Sequence, residues 1–173
     1  MAGPVVAGAV LLREPIPGLK DSKKLSKSAR ELLDSIIRVE ALAYGLGWVP
    51  AEELDAIGLT AAVRLAMQRA VAAIHEPFEQ IIIDGNYNFL AEDPRTVCVV
   101  KADDTVPAVS AASILAKVAR DNYMHDMSRE HPGYAFENHV GYGTAAHMAA
   151  LQELGVSVLH RRSFAPIRAL LES

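Results

Sequence analysis

The sequence has little cysteine, no long apolar run and no excess of basic charge. Cys98 is its one cysteine, which excludes an internal disulfide. The longest uninterrupted apolar run, PVVAGAVLL at 4–12, is too short to span a bilayer. The formal net charge is −4, so the chain is not a bulk polycation. Because no signal-peptide pattern opens the sequence, we expect a cytoplasmic protein that does not act at a membrane.

The length and composition are those of an ordinary soluble domain. The chain has 173 residues, of which 51% are hydrophobic and 22% charged. This is enough to bury a core, and we find no repeat, linker or low-complexity segment. We therefore predict a single domain over residues 1–173.

Basic residues are concentrated in two stretches despite the acidic total. Residues 20–30 contain five basic residues and one acidic residue, and residues 160–168 contain three arginines and no acid. Such local patches on an acidic protein indicate a polyanion site, or they are solvated helix faces. Composition leaves both interpretations open.

Strand and helix patterns alternate along the chain. Strands are predicted at 4–12, 41–48, 81–83 and 96–101, and helices within 26–40, 58–74, 106–127 and 144–154. Ser26 or Ser28 is a suitable N-cap for the first helix, and Gly155 is a suitable C-cap for the last. The small residues in the first half of the third helix allow close approach to a sheet. Together these patterns predict an α/β domain with a mixed sheet.

The stretch IIIDGN at 81–86 places a carboxylate at the end of an apolar strand. Asp-Gly is a common turn pair, and a turn is the simpler interpretation of these six residues. The alternative is that Asp84 lies at the strand end because chemistry takes place there.

Five motifs in order carry a family resemblance. They are GLKDSKKLS (18–26), IIIDGN (81–86), VKADDTVPAVSAASILAKVARD (100–121), HPGYAFENHVGYGTAAH (131–147) and HRRSFAPI (160–167). Together they closely resemble bacterial ribonuclease HII, of the type 2 ribonuclease H family. The resemblance extends from Ala2 to about Leu170.

The resemblance implies a ribonuclease H-like mixed β-sheet flanked by helices. It also implies an endonuclease that cuts the RNA strand of RNA–DNA hybrids and cuts at ribonucleotides embedded in duplex DNA, leaving 5′-phosphate and 3′-hydroxyl ends. The implied cofactors are Mg²⁺ or Mn²⁺, with two ions roughly 3.5–4 Å apart in such sites. The family likeness further implies a monomer.

Carboxylates suit this chemistry because hard divalent cations prefer oxygen ligands. Asp84 matches the metal-binding aspartate of the family, and Asp103 matches a later catalytic carboxylate. Its neighbour Asp104 is the alternative, but the alignment of the preceding residues favours Asp103. Asp121 is a further acid in a matching motif, and we interpret it as structural.

The resemblance also implies residues that contact the substrate. Tyr142 matches a tyrosine that packs against the sugar next to the ribonucleotide, an ordinary use of an aromatic ring. The phosphate-contact candidates are Lys23, Lys24, Ser110, Ser113 and Lys117. The two serines alternatively provide only small-residue packing. Arg161 and Arg162 are expected either to bind phosphate or to form ion pairs within the domain.

The remaining polar residues of these motifs give weaker signals. His139 and His147 are not spaced as zinc ligands, and we interpret the histidines as structural. Val140 stands where the family usually has lysine, which removes one expected phosphate contact.

One departure concerns the start of the sequence, MAGPVVAGAV. Family members carry an Asp-Glu-Ala-Gly-Arg-Gly segment before this point, on the first, central strand of the sheet. We therefore expect this chain to lack that strand and two of four metal carboxylates, and to be inactive or nearly so. We also expect Met1 to be a misplaced start or a fragment boundary.

Two other hypotheses differ in class. A non-catalytic nucleic-acid-binding module on the same fold would bind hybrid duplexes in a salt-dependent way without cutting them. An unrelated α/β domain would carry the five motifs by chance.

Overall fold

The computed structural model describes residues 1–19 and 22–172. Lys20 and Asp21 belong to the motif GLKDSKKLS and to the first basic stretch, and they lie outside the described residues.

Eight α-helices, four strands and one 3₁₀ turn occur in the described part of the chain. The strands are β1 (Val5–Leu11), β2 (Ala43–Val49), β3 (Ile81–Asp84) and β4 (Thr96–Val99). The helices are α1 (Lys27–Glu40), α2 (Ala51–Ile57), α3 (Leu59–Ala72), α4 (Ala102–Thr105), α5 (Pro107–Glu130), α6 (Phe136–His139), α7 (Ala145–Leu154) and α8 (Ala165–Leu171). The 3₁₀ turn is Ser22–Lys24.

The chain forms two compact units. The first unit comprises Met1–Val5, Val49–Ala62 and Ala119–Ser173, and the second comprises Val6–Trp48 and Val63–Val118. Each has its own buried apolar cluster, and each is described separately below. The prediction of a single domain stays a prediction.

The core of the second unit joins α1 to the first half of α5. Ile37, Ile114 and Leu115 are fully buried in it. The first of the two N-cap candidates caps α1, since the hydroxyl of Ser26 accepts a hydrogen bond from the main-chain N of Ala29 at 3.2 Å. This cap satisfies one of the amide groups that a helix start leaves unpaired.

Glycine and alanine bring helices against the strands of this unit. A Cβ atom at Gly8 in β1 would lie 2.3 Å from the carbonyl oxygen of Ala112 in α5. A Cβ at Gly47 in β2 would lie 1.8 Å from the carbonyl oxygen of Ala66 in α3. The expected close approach of α5 to a strand is therefore confirmed.

The strands occur as two pairs, β1 with β2 and β3 with β4. The pairing of β3 with β4 is parallel, with Asp84 opposite Val99 in the register. The main-chain N of Gly85 continues the ladder by donating to the carbonyl of Val99 at 3.0 Å. This register places the end of β3 beside the start of the segment that leads into α4.

The core of the first unit is aromatic and includes buried histidines. Phe136, Met124 and Ile167 are fully buried there, and His147 and His160 are as deeply buried. Tyr134 stacks on Phe136 with ring centroids 5.3 Å apart. The buried imidazoles need hydrogen-bond partners, because unpaired buried polar groups are costly.

The long predicted elements are present, and Gly155 is the C-cap of α7 as expected. The short helices α2, α4, α6 and α8 were not predicted, because four to seven residues carry too little periodicity. Within residues 1–19 and 22–172, no helix combines the length and apolarity needed to cross a membrane.

Candidate active site

The carboxylate of Asp84 holds the chain at the start of α4. Its Oδ1 accepts a hydrogen bond from the main-chain N of Ala102 at 2.8 Å. This amide belongs to the first residue of α4, where a helix leaves its N–H groups unpaired. Asp103 is the next residue, so the bond brings the ends of two acidic segments together, 19 positions apart in the sequence.

A left-handed residue makes this approach possible. Lys101 has φ 59° and ψ 37°, and it connects β4 to α4. A non-glycine residue in this region is strained, and such strain is often found at functional sites. The sharp reversal at Lys101 places Asp103 in the first turn of α4, close behind the amide that Asp84 accepts.

Asp104 is engaged by a predicted phosphate-binding lysine. The Nζ of Lys24 lies 2.6 Å from Oδ1 and 2.7 Å from Oδ2 of Asp104. The hydrogen bond from Lys24 lowers the pKa of the Asp104 carboxyl below its usual value. This pairing favours Asp103 over Asp104 as the partner of Asp84, and it also occupies Lys24.

The two aspartates fit a hard divalent cation in donor type. Among residues 1–19 and 22–172, Ala102 is the one hydrogen-bond donor recorded for the Asp84 carboxylate, which leaves Oδ2 for another ligand. In number they fit less well, since the described residues contain no group of three or more His, Cys, Asp or Glu that could hold a metal ion. Asp84 and Asp103 thus offer oxygen atoms of the type that such cations bind.

The 3₁₀ turn Ser22–Lys24 is anchored to α5 through its first residue. Ser22 is buried, and its hydroxyl lies 2.9 Å from the hydroxyl of Ser113. Arg30 shapes the same segment by donating from Nη1 to the carbonyls of Ser22 at 3.1 Å and Leu25 at 2.7 Å. These bonds fix the 3₁₀ turn that carries the lysines.

The predicted phosphate-contact residues of the second unit differ in exposure. Lys23 and Lys24 are exposed, while Ser113 and Lys117 are half-buried. Ser110 is only 3% exposed and is therefore placed for packing more than for contact with a ligand. The hydroxyl of Ser113 bonds to Ser22, which gives it a structural role.

Tyr142 lies in the first unit, on the loop between α6 and α7. Its ring is 56% exposed. Its main-chain N donates to the carbonyl of His139 at 2.9 Å, and its own carbonyl lies 2.8 Å from Nδ1 of His147. The loop is thus held from the interior, and Tyr142 is exposed at the surface.

A chain of hydrogen bonds through two buried imidazoles supports this loop. The amide of Ser157 donates to Nδ1 of His160 at 3.0 Å, so the neutral ring carries its proton on Nε2. That Nε2 lies 3.0 Å from Nε2 of His147, which must accept there and donate from Nδ1 to the carbonyl of Tyr142. Every member is satisfied only when both rings are neutral.

Burial favours the neutral forms of these rings. Desolvation, followed by the neighbouring His147, lowers the pKa of His160 to about 4. Desolvation likewise lowers the pKa of His147. The rings are therefore hydrogen-bonding parts of the core at neutral pH.

Arg161 is committed to main-chain carbonyls. Its Nε donates to Gly3 at 2.9 Å and its Nη2 to Pro4 at 3.0 Å. Burial, and then the nearby charge of Arg120, lowers the pKa of Arg161 to about 10. The side chain of Arg162 is exposed, while its main-chain N donates to Asp55 at 2.6 Å.

Arg120 is a residue of this region that the sequence did not point to. Its guanidinium donates to the carbonyls of Pro4 at 3.2 Å and Ala2 at 3.1 Å, and its Cζ lies 5.3 Å from the ring centroid of Tyr142. From sequence alone, an arginine inside a long helix is expected to be solvated. The main-chain acceptors of Arg120 lie more than 100 positions away in the sequence. Only its place in the ARD motif could have drawn attention to it.

The chain matches a known family over nearly its whole length. The family model described as "Ribonuclease HII" matches residues 1–167. Ribonuclease HII of Halorhodospira halophila is 49% identical over 174 residues, covering 98% of this chain and 88% of the relative.

Solved structures show the same fold. The ribonuclease H2 of Pyrococcus horikoshii OT3 superimposes with a TM-score of 0.80 at 24% identity, covering 99% of this chain and 91% of that one. Bst-RNase HIII in complex with Mn²⁺ superimposes with a TM-score of 0.70 at 21% identity, covering 99% and 65%. The expected α/β architecture is confirmed by these matches.

Proposed function

Because this chain belongs to the ribonuclease HII family, we propose that its site hydrolyses the RNA strand of RNA–DNA hybrids and cuts at ribonucleotides embedded in duplex DNA. The products would carry 5′-phosphate and 3′-hydroxyl ends. We place this activity in the cytoplasm, on a monomer.

The observation that carries the proposal is the junction of β3 with α4. Asp84 accepts the amide of Ala102, and Asp103 follows directly in the same turn. Two carboxylates at a strand end and a helix start are what a phosphodiester-cleaving site needs to hold cations.

Asp84 and Asp103 are the residues that would hold Mg²⁺ or Mn²⁺. Two such ions activate a water molecule and neutralise phosphoryl oxygens when they are bound. A Mn²⁺ complex is known for the structurally similar Bst-RNase HIII, which supports the choice of cation. The chain's own contribution is to fix the two carboxylates through the Ala102 amide and the reversal at Lys101.

Binding of the nucleic acid is proposed to use one aromatic ring and several charged side chains. Tyr142, exposed on a loop held from the core, would pack against a sugar of the duplex. The lysines of the 3₁₀ turn and Lys117 would contact phosphates. Arg161 would act through its charge near the surface, since two of its N–H groups already serve carbonyls.

A polypeptide limited to residues 1–173 is proposed to cleave poorly. By the family pattern, an Asp-Glu pair supplies two further carboxylates to the cations. The described residues form no group of three metal-ligating side chains, which agrees with an incomplete set. Binding of the duplex depends on other residues and is expected to persist.

The experiment separates binding from cutting. The polypeptide is titrated onto a labelled duplex carrying one ribonucleotide and onto the all-DNA duplex, and cleavage is followed with Mn²⁺. Tighter binding of the ribonucleotide duplex with little cleavage is the expected result. Equal binding of both duplexes would contradict the proposed substrate, and rapid cleavage would contradict the need for the additional carboxylates.

The cation-binding role is tested with matched variants. Asp84→Asn and Asp103→Asn should each weaken Mn²⁺ binding measured by electron paramagnetic resonance. Asp104→Asn is the control, because this carboxylate is paired with Lys24. If Asp104→Asn removes Mn²⁺ binding and Asp103→Asn does not, the assignment of the second ligand is wrong.

A further inference from the structure

The side chain of Tyr142 needs support that its main chain does not provide. Hydrogen bonds to His139 and His147 fix the peptide groups on both sides of its Cα. The ring itself is 56% exposed, and an exposed aromatic side chain rotates among staggered rotamers. A ring that must meet a sugar in one orientation loses affinity to this freedom.

Arg120 provides a contact to this ring. Its Cζ lies 5.3 Å from the centroid of Tyr142, which is within the range of a cation–π interaction. Arg120 is carried by the long helix α5, and two carbonyls fix its plane: Nε donates to Pro4 and Nη2 to Ala2. A planar group held at two points is a rigid surface for the ring.

The third nitrogen of this guanidinium also indicates that Arg120 interacts with the Tyr142 ring. Nη1 of Arg120 is buried and has no hydrogen-bond partner among residues 1–19 and 22–172. A buried donor without a partner calls for an explanation. The electron-rich face of Tyr142 gives the guanidinium a favourable contact that is not a conventional hydrogen bond.

The hydrogen bonds that Arg120 donates to residues 2–4 do not by themselves explain why an arginine is needed at this position. Arg161 already donates to the carbonyls of Gly3 and Pro4, so one carbonyl is shared by two arginines. The guanidinium of Arg161 lies over the ring of Phe164, at 5.2 Å, and Arg161 also interacts electrostatically with Tyr142. Arg120 differs in placing the Cζ of its guanidinium over the Tyr142 ring, 5.3 Å from the centroid.

We infer that Arg120 is a positioning residue for substrate recognition: it holds the exposed ring of Tyr142 in the orientation that packs against a sugar of the nucleic acid. This inference rests on the proposed function. It adds a residue that does not touch the substrate and acts through one that does.

A double-mutant cycle tests the inference. Binding of the ribonucleotide-containing duplex to residues 1–173 is measured by fluorescence anisotropy for Arg120→Gln, Tyr142→Ala and the double variant. We expect each single variant to bind the duplex about three- to tenfold more weakly than the parent. The affinity of the double variant should equal that of the weaker-binding single variant. Additive losses, or parental affinity in Arg120→Gln, would overturn the inference.

Two further variants separate positioning from charge and from loss of structure. Arg120→Lys keeps the charge but loses the planar fork, so it should bind as weakly as Arg120→Gln; recovery of binding would overturn the positioning role. Arg69→Gln removes an arginine that donates to the carbonyl of Trp48 and should bind like the parent. If Arg120→Gln does not fold, the cycle is run with Arg120→Lys.

A spectroscopic measurement distinguishes failure of this inference from failure of the proposed function. If the parent does not prefer the ribonucleotide duplex, the proposed function fails. The Nε–H resonance of Arg120 is then compared between the parent and Tyr142→Leu. A shift caused by loss of the ring current supports the contact, and an unchanged resonance overturns the inference.

Discussion

At the scale of single residues, Asp84 has an observed structural role and a proposed chemical one. Its Oδ1 accepts the amide of Ala102, and its other oxygen is proposed to bind a cation. These two roles need different properties of the side chain. The hydrogen bond needs an acceptor, whereas the cation needs a negative charge.

Substitutions at Asp84 should therefore separate stability from cation binding. Asp84→Asn keeps an acceptor and should leave the free energy of unfolding within about 0.5 kcal/mol of the parent, whereas Asp84→Ala should lower it by about 1 kcal/mol. Both should lose Mn²⁺ binding. Urea unfolding and Mn²⁺ titration measure the two effects, and equal destabilisation by both variants would contradict the capping role.

The buried histidines should make the free energy of unfolding depend on pH. The unfolded chain protonates His160 at a pKa near 6.5, but burial keeps the folded pKa at about 4. Between these values the unfolded state binds more protons. Stability is thus fully present above about pH 6.5 and should fall by about 2–4 kcal/mol as the pH drops to 4.

Urea unfolding at a series of pH values measures this loss. His160→Asn should flatten the dependence, and His75→Asn, which removes an exposed imidazole, should retain it. A parent protein equally stable at pH 4.5 and 7 would contradict the need for neutral rings.

At the scale of elements, two of the short helices, α4 and α6, begin where the backbone turns left-handed. Lys101 precedes α4 and Ala135 precedes α6, with φ values of 59° and 56°. Side chains with a Cβ adopt this region at a cost, and glycine adopts it readily. The first turn precedes Asp103 and the second precedes the helix before the loop of Tyr142, so each of these proposed functional residues follows a strained connection.

The same substitution should therefore have opposite effects at two alanines. Ala135→Gly relieves the left-handed strain and should raise the free energy of unfolding by about 0.5–1 kcal/mol. Ala149→Gly, in the exposed interior of α7, should lower it by about 1 kcal/mol. Thermal and urea unfolding measure both, and a loss of stability in Ala135→Gly would show that the turn is not strained.

Helix-on-strand packing should depend on the absence of a side chain at Gly47. The added methyl of Gly47→Ala would meet the carbonyl of Ala66 at 1.8 Å, so we expect a loss of about 3 kcal/mol or more. Gly58→Ala is the comparison, because no atom lies within 4 Å of its added Cβ. There, the positive φ alone should cost about 1 kcal/mol, and equal losses at both positions would contradict the packing argument.

At the scale of the whole molecule, an acidic protein is proposed to bind a polyanion through local charge. The net charge is −4, yet Lys23 and Lys24 are exposed on an anchored turn. Binding through a few phosphate contacts depends strongly on salt, because bound counterions are released. The net charge alone would have argued against this partner.

The salt dependence of duplex binding should show whether a single lysine contacts a phosphate. Lys23→Gln should reduce the slope of log K against log salt by about 1, whereas Arg64→Gln, on the exposed face of α3, should leave it unchanged. Anisotropy titrations over a range of salt concentrations measure the slope. Equal slopes for Lys23→Gln and the parent would show that Lys23 does not contact a phosphate.

Periodic residue patterns in the sequence predicted the long regular elements. Contacts between residues far apart in the sequence could not be predicted in this way. The long helices α1, α3, α5 and α7 follow from apolar spacing, and the cap of α1 from Ser26. The motifs predicted Asp84 and Asp103 as cation ligands, which stays a prediction, and gave no sign of the left-handed turn at Lys101 that precedes Asp103. The role of Arg120 could not be predicted, because its acceptors lie 116 and 118 positions away.

The pairing of residues 2–4 also sets an order of events during synthesis. The carbonyls of Gly3 and Pro4 bond to Arg161, which is made 158 and 157 positions later. At roughly 5–20 residues per second, the ribosome takes roughly 8–30 s to close this gap. Until then the carbonyls of Gly3 and Pro4, next to the apolar segment VVAGAVL, lack the donors that Arg161 provides. The nascent chain is therefore expected to need a chaperone or rapid translation before its last helices emerge.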